Sequence, residues 1–443
     1  MIQKMTLIGM TLLLIVACDT DTNDPQIEGD FKITVENIAE AKSYSSSGAF
    51  NTPVGATDPA PIFPGEAYEV SFSAAPGSKL SFATMFVQSN DLFYAPDGDG
   101  IDLYDSMGEQ VVGDVTSQIM LWDAGSELNQ EPGLGADQAP RQAGANTGAV
   151  DTDNTVRLAS DDFSNLPAVA DVVQVSLSSN GATAFTLRIV NVSSSSTLMT
   201  SDGGSTAVPL APGVYVVHSG SDVLFAAGQA DYGYGLAAIA EDGDPTDLSA
   251  MIAMDTGITQ LYAPGVYVVH ESANPLFTAD VVDRGEGLED LAEDGDPSSL
   301  AAALSSSAMY STSGAFNTPV GATGPGALAP GASYEFVISA MEGDYLSLAT
   351  MLVQSNDLFV APSGMGIALF TDGAAMTGDV TSYLSIWDAG TEVNETPGIG
   401  LNQAPRQAGA GAGMDEMGLV RMVDDMYDYP TLSEIIRVTI TQI

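Results

Sequence analysis

The chain has 443 residues and carries 58 acidic side chains against 11 basic ones, which gives a formal net charge of −47. A surface this negative repels phosphates, so the charge argues strongly against nucleic acid or an anionic membrane surface as a partner. Hydrophobic residues make up 45% of the chain, which is ample for packed cores and argues against a disordered acidic tail.

The N-terminus carries a predicted export signal. Lys4 precedes an apolar run that ends at Cys18 and is too short to span a bilayer with loops on both sides. Residues 15–18 are similar to a bacterial lipobox, in which the cysteine is acylated and becomes the mature N-terminus. Cys18 is the only cysteine, so no internal disulfide can form.

Residues 1–18 are therefore predicted to be a lipoprotein signal peptide, with a plain signal peptide as the alternative, and residues 19–30 a solvated tether. The expected location is the cell envelope, on the outer surface or in the periplasm. The lipid would be the chain's only contact with a membrane.

Two duplications organise the rest of the chain. Residues 47–57 recur unchanged at 313–323, and the similarity continues to the segments 138–144 and 403–409. A shorter duplication lies between these copies, where residues 211–245 recur as 263–297. The only two histidines, His218 and His270, occupy equivalent places in the short repeat and are expected to have a structural role at strand ends.

Alternation of apolar and polar residues predicts strands, and Gly, Pro and Asp turns separate them at short intervals. The alternating apolar positions include Phe31, Ile33 and Val35, then Tyr68, Val70 and Phe72, and finally Ile436, Val438 and Ile440. The predicted fold class is all-β, with two antiparallel β-sandwich modules and a few short helices near residues 231–254 and 283–304.

Each module is expected to open and close with such a strand. The first is predicted to span residues 31–180, and the second residues 183–443, opening with the strand 185–190. The short duplication would then lie entirely in the second module, and the first module would be a shortened version of the fold.

Four motifs occur in both long copies. They are Ser-Asn-Asp-Leu-Phe at 89–93 and 355–359, Gly-Asp-Val-Thr at 113–116 and 378–381, Trp-Asp-Ala-Gly at 122–125 and 387–390, and Gln-Ala-Pro-Arg-Gln at 138–142 and 403–407. This combination resembles the spondin N-terminal domain family, which occurs in extracellular-matrix adhesion proteins of animals and in exported bacterial proteins. The resemblance implies a β-sandwich that acts in adhesion or extracellular recognition.

The resemblance also implies a calcium site. The family's calcium loop, Asp-Ala-Gly-Thr-Asp, is similar to the segments 123–127 and 388–392, in which Glu replaces the last Asp. A second family motif is similar to the segments 89–92 and 355–358. The candidate calcium ligands are thus Asp91, Asp123 and Glu127 in the first copy, and Asp357, Asp388 and Glu392 in the second.

The chemistry of these residues supports the same hypothesis without the family. Ca²⁺ takes roughly six to eight oxygen ligands, and loops that converge on one end of a sandwich can supply them. The residues between Asp123 and Glu127 are small and permit a tight turn, while Asp114 and Asp379 are further candidates for oxygens. The alternative is that these side chains only cap turns.

Two other repeated segments, one with an arginine and one rich in aspartate, also have expected roles. Arg141 and Arg406 are expected to pair with carboxylates and hold a loop, because basic residues are scarce in this chain. Residues 97–102 resemble part of an EF-hand loop, but the second copy at 362–367 has lost every carboxylate, so a solvated turn is expected.

No catalytic motif is found, so a binding protein rather than an enzyme is expected. The leading hypothesis is a calcium-binding module for an extracellular glycan or protein ligand. One alternative is a structural envelope lipoprotein whose acidic surface is an adaptation to salt. A carboxylate-based glycosidase is the weaker alternative.

Overall fold

The computed structural model describes residues 27–443, so the predicted signal peptide, Cys18 and residues 19–26 of the tether lie outside the described residues. The all-β prediction is confirmed. The strands are β1 Glu28–Asn37, β2 Tyr44–Phe50, β3 Ala67–Ser73, β4 Lys79–Phe86, β5 Leu92–Pro96, β6 Ile101–Asp102, β7 Gly113–Asp114, β8 Ile119–Asp123, β9 Arg157–Leu158, β10 Val173–Ser179, β11 Ala184–Asn191, β12 Leu198–Met199, β13 Ser205–Thr206, β14 Leu210–His218, β15 Tyr262–His270, β16 Thr312–Phe316, β17 Ser333–Met341, β18 Tyr345–Leu352, β19 Leu358–Pro362, β20 Ile367–Ala368, β21 Phe370–Thr371, β22 Ala374–Ala375, β23 Gly378–Asp379, β24 Leu384–Asp388, β25 Arg421–Met422 and β26 Ile436–Gln442.

Four of the five short helices lie at the end of a copy of the short repeat or directly after it, near the two regions that the sequence predicts. The five helices are α1 Leu236–Asp242, α2 Thr246–Met254, α3 Leu288–Glu293, α4 Ser298–Ser306 and α5 Leu432–Ile435. Single 3₁₀ turns lie at Thr116–Gln118, Ala159–Asp161, Val169–Asp171 and Thr381–Tyr383.

Two sandwiches are built from these elements, each with a large and a small sheet. In one, the large sheet has the order β2-β14-β4-β5-β8-β9 and the small one β3-β11-β10-β7. In the other, the corresponding orders are β16-β15-β18-β19-β24-β25 and β17-β1-β26-β23. The two orders match strand for strand, so the two sandwiches are copies of one fold.

The strand pairings do not follow the predicted module boundaries. Strand β1 pairs with β17 and β26, more than 290 residues away, while β11 pairs with β3 and β10. One module is therefore a continuous insert, residues 43–257, which we call the inserted module. The other, which we call the enclosing module, combines residues 27–42 with residues 258–443.

The short repeat is also divided between the modules. Strand β14 pairs with β2 and β4 of the inserted module, and β15 pairs with β16 and β18 of the enclosing module. The prediction that the first module lacks this segment was wrong. Each module has one copy of every strand that the fold requires.

A short hairpin explains this arrangement. Residues 180–183, which include the pair Asn180-Gly181, join strands β10 and β11. So short a connection favours antiparallel pairing of the two strands that it joins. Beside β26, the counterpart of β10, the equivalent position is occupied by β1 from the other end of the described chain. The Asn-Gly pair is the sequence signal for a hairpin at the position where a module boundary was predicted.

Separate cores confirm the division. Phe72, Phe86 and Phe185 belong to a cluster between the two sheets of the inserted module, and Phe31, Phe316 and Val438 belong to its counterpart in the enclosing module. The outer face of each large sheet is covered by a helix pair, α1 with α2 in the inserted module and α3 with α4 in the enclosing one. Strands β5 and β19 are consequently buried along their whole length, which brings their ends and the adjoining loops into a protected position.

Candidate metal centre

Acidic side chains meet at one end of each large sheet. Strand β5 pairs with β8 so that Leu92 lies opposite Asp123, and Asp91 immediately precedes that pair. In the enclosing module Leu358 lies opposite Asp388, and Asp357 precedes the pair. All four aspartates are completely buried, so these carboxylates do not belong to the solvated acidic surface.

Asp91 and Asp357 each have one satisfied oxygen and one unsatisfied oxygen. In the enclosing module Oδ2 of Asp357 accepts the backbone N–H of Thr391 at 2.8 Å, the hydroxyl of Thr391 at 3.2 Å and the N–H of Glu392 at 3.1 Å. Ser126 and Glu127 donate in the same way to Asp91. Oδ1 of both aspartates is buried without a hydrogen-bond partner.

The second aspartate of each pair has a turn-capping oxygen and an oxygen bound by arginine. Oδ1 of Asp388 accepts the N–H of Gly390 at 2.7 Å, which is the capping role considered as an alternative. Oδ2 lies 3.0 Å from Nη2 of Arg421. In the inserted module Oδ1 of Asp123 likewise accepts an N–H, from Gly125, and Oδ2 lies 3.1 Å from Nη2 of Arg157.

The structure adds a carboxylate that the sequence analysis missed. Within residues 27–443, one set of three acidic side chains brings an oxygen from each to within 4.8 Å of the others, namely Asp357, Asp388 and Glu416. Glu416 also pairs with Arg421 at 2.8 Å, and its Oε2 is buried without a partner. Hard oxygens at this spacing are suitable ligands for Ca²⁺.

In the inserted module the equivalent cluster has one shorter acidic side chain, and more of its negative charge is paired with arginine. Asp151 occupies the place of Glu416, with one methylene fewer, and pairs with Arg157 at 2.8 Å. Arg157 also contacts Asp162. The guanidinium of Arg157 thus forms ion pairs with three carboxylates. The exposed fraction of its side chain is 14%, compared with 36% for Arg421.

Glu127 and Glu392 lie next to Asp91 and Asp357, to which they donate their backbone N–H groups. They are buried, with 2% and 3% of their surface exposed, and Oε2 of each accepts an N–H of a neighbouring asparagine, Asn90 at 3.2 Å and Asn356 at 3.3 Å. The structure therefore groups Asp388 with Asp357 and Glu416, and places Glu392 beside Asp357 but outside this group of three.

Burial and mutual repulsion change the acidity of these groups. Burial and, to a smaller extent, the charge of Asp123 together raise the pKa of Asp91 to about 7. Asp357 is raised to a pKa of about 7 by burial and by Asp388. Burial likewise raises the pKa of Asp123 and of Asp388, although Arg157 and Arg421 oppose the shift. Carboxylates held in this way bind a proton or a cation strongly.

Other predicted residues lie elsewhere. Asp114 and Asp379 are exposed in strands of the small sheets, where each caps a turn by accepting the N–H of a threonine, so they do not join the cluster. Residues 97–100 form a turn in which both aspartates are exposed, as expected.

Arg141 and Arg406 hold a loop, but the prediction that each pairs with a carboxylate was wrong. Arg141 donates to the carbonyl of Gly135 at 2.8 Å and to side-chain amide oxygens of Gln88 and Gln138, and Arg406 makes the equivalent contacts. Neither forms an ion pair with an acidic residue of the described chain. Amide oxygens take the place of carboxylates here, one from the first glutamine of the motif and one from Gln88 or Gln354, which lies outside it.

The two histidines have the predicted position at strand ends. Nε2 of His218 lies 2.9 Å from the Ser81 hydroxyl, and Nδ1 lies 2.9 Å from the carbonyl oxygen of Gly220. His270 makes the same pair of bonds to Ser347 and Ser272. Burial lowers the pKa of both rings, which favours neutral imidazoles that donate through Nδ1 and accept through Nε2.

Comparison with models of known protein families and with curated proteins finds no match for this chain. The resemblance to the spondin family therefore stays a prediction. In residues 27–443 no helix has the length and apolar character needed to cross a membrane.

Proposed function

We propose that this chain is an exported, lipid-anchored cell-surface protein whose two sandwich modules bind Ca²⁺ and act in adhesion or extracellular recognition. The observation that carries the calcium part is the buried, unpartnered Oδ1 of Asp357, which lies beside Asp388 and Glu416. A buried carboxylate oxygen without a donor is costly, by about 1–3 kcal/mol or more. A cation at this point would remove that cost.

The position of the cluster supports a role in recognition. It lies where loops leave the buried strands β5 and β19, and a bound ion would fix those loops relative to the sandwich. Two modules on one tether would bind a repetitive glycan or protein surface with avidity. The lipid anchor at Cys18, outside the described residues, would supply the attachment to the cell.

The rival hypothesis is that the net charge of −47 only keeps the protein soluble in salt. Titration calorimetry with CaCl₂ in about 0.5 M NaCl separates the two, because diffuse attraction to surface charge is screened at that ionic strength while a preformed site is not. We expect saturable binding in the wild-type chain and its loss in an Asp91→Asn/Asp357→Asn double variant.

A matched control uses aspartates of the exposed surface. The double variant Asp58→Asn/Asp428→Asn removes the same number of charges from exposed positions, and it should bind Ca²⁺ as the wild type does. Equal, salt-sensitive heats from all three proteins would contradict the calcium proposal and favour the salt-adapted envelope protein.

A further inference from the structure

A cleft lies between the two modules, at the place where the inserted module interrupts the enclosing one. Its volume is about 360 Å³, and both modules contribute to its lining. Tyr44 at the start of β2 and His218 at the end of β14 belong to the inserted module, and the loop 396–399 belongs to the enclosing one. Junctions between domains are a frequent place for small-molecule sites, which have volumes of about 300–1,000 Å³.

The cleft exists because the inserted module takes the place of a hairpin. Within the inserted module, β11 is followed by the hairpin β12–β13 and then by β14. In the enclosing module the equivalent strand β1 is followed by the whole inserted module and then by β15. The two modules therefore differ in what covers the equivalent loops that follow β8 and β24.

In the inserted module the hairpin closes over this loop. A Cβ on Gly133 would lie 2.8 Å from Cγ2 of Thr200, so the hairpin is in direct contact with the loop backbone. The backbone N–H of Ser201 also donates to Oε1 of Glu131 at 2.6 Å. These contacts fill the space above the loop with the module's own chain.

The equivalent loop of the enclosing module is only partly covered. A Cβ on Gly398 would lie 3.0 Å from Cγ1 of Ile258, so this glycine packs on the segment that follows the inserted module. Thr396 stands where the other copy has Glu131, and it is exposed. The cleft is the remaining space between this loop and the inserted module.

The lining of the cleft is rich in hydroxyl groups. Ser43, Ser78, Ser219 and Thr396 all line it, and within residues 27–443 no protein group forms a hydrogen bond with their hydroxyls. Gln354 lines it too, and its Oε1 accepts from Arg406, which leaves the amide N–H groups available. Several uncommitted donors and acceptors thus converge on one space.

Charge is almost absent from the same lining. No acidic residue lines the cleft among residues 27–443, and the single ammonium group, that of Lys42, lies 2.7 Å from a carboxylate oxygen of Glu40. Ile258 and Ile399 supply apolar surface between the polar groups. Hydroxyls, an amide and small apolar patches match a saccharide, which presents hydroxyl groups around apolar C–H faces.

We propose that this cleft binds a short segment of a neutral glycan, an inference that rests on the recognition function proposed above and names its ligand. A neutral glycan is favoured over an acidic one because the chain has a net charge of −47 and the cleft has no unpaired cation for a carboxylate. A folded protein partner would need about 800 Å² of surface on this chain, far more than a cleft of this size provides.

An array of immobilised neutral oligosaccharides, with uronic-acid oligosaccharides beside them, provides the probe. The intact chain should bind neutral oligosaccharides, and titration calorimetry with the soluble form of the best-bound one then gives its dissociation constant. Binding to acidic oligosaccharides only, or to none of the immobilised glycans, would overturn the inference.

A double variant with one substitution in each module tests the position of the site. Ser219→Leu/Thr396→Leu removes two hydroxyls and places a branched apolar side chain on each wall, so affinity for the neutral oligosaccharide should fall at least about 10-fold. Both positions are exposed, so the fold should be kept, and an unchanged urea midpoint checks that it is. The matched control Ser106→Leu/Thr323→Leu makes the same changes at exposed positions outside the cleft and should bind as the wild type does.

The outcomes separate this inference from the proposed function. Equal affinity in the wild type and both double variants would overturn the cleft as the site and leave recognition of a glycan intact. An equal loss in the control would also overturn it. Each single variant should weaken binding, and an effect of Thr396→Leu without any effect of Ser219→Leu would overturn a site shared by the two modules. Calcium binding is measured separately, so its failure leaves this test unchanged.

Discussion

Substituting Asn37 tests the nested arrangement of the two modules. Asn37 ends strand β1 and is completely buried. Its Nδ2 donates to the carbonyls of Gln260 at 3.0 Å and Leu328 at 2.9 Å, and its Oδ1 accepts the N–H of Ala39 at 3.1 Å. Asn37→Ala should therefore destabilise the enclosing module, although residue 37 precedes the inserted module in the sequence.

The expected size follows from the three lost hydrogen bonds. Each leaves a buried backbone group without its partner, so a total of about 3 kcal/mol is expected. With a urea m-value on the order of 3 kcal/mol/M for a module of about 200 residues, the unfolding midpoint should fall by about 1 M.

The chain contains one tryptophan per module, which allows each to be observed separately. Trp122 lies in β8 and Trp387 in the equivalent strand β24, and both are 5% exposed. In a Trp122→Phe background the fluorescence of Trp387 reports the enclosing module, and in a Trp387→Phe background Trp122 reports the inserted one. Each Asn37→Ala chain is compared with its own single-tryptophan parent.

Asn191 supplies the matched control, because it ends β11 and makes the equivalent bonds to Ile62 and Val208. Asn37→Ala should shift the Trp387 transition, and Asn191→Ala the Trp122 transition. The reverse result, with Asn37→Ala shifting Trp122 alone, would refute the nested arrangement and restore the linear one.

Two further predictions concern the inserted module and the histidines. A fragment of residues 43–257 should fold on its own and show a cooperative urea transition in the fluorescence of Trp122. A fragment of residues 31–180 should not fold, because it lacks strands β11 and β14. A folded 31–180 fragment would contradict the strand pairings. Because the pKa of His218 and of His270 is lowered in the folded chain, the unfolded chain binds protons at these rings first as pH falls below about 6.5. The contribution of the two neutral rings to stability is therefore present above that pH, and it is lost as pH falls through the folded pKa. The free energy of unfolding of the wild type, measured against a His218→Gln/His270→Gln variant, should therefore decline between pH 7 and 5, by at most about 1.4 kcal/mol per pH unit for each histidine. A difference independent of pH would show that the rings have the same pKa in the folded and the unfolded chain, which contradicts the prediction.

Much of the candidate site is visible in the sequence. Asp91, Asp123 and Glu127, with their second copies, are repeated acidic residues at strand ends, and all six are buried. Asp151 and Glu416 differ in type between the copies and lie in loops, so repetition does not identify them.

The duplication, the all-β class and the alternation that buries one face of strands such as β1 and β26 can all be read from the amino-acid sequence. These properties are local, because side-chain periodicity and turn residues act over a few positions. Only the tertiary structure decided which copy of each strand joins which module. Strands β1 and β11 have equivalent patterns and end in equivalent asparagines, so periodicity cannot distinguish them. The choice is made by chain connectivity, since the short hairpin gives β11 to β10 and leaves the edge of β26 for β1.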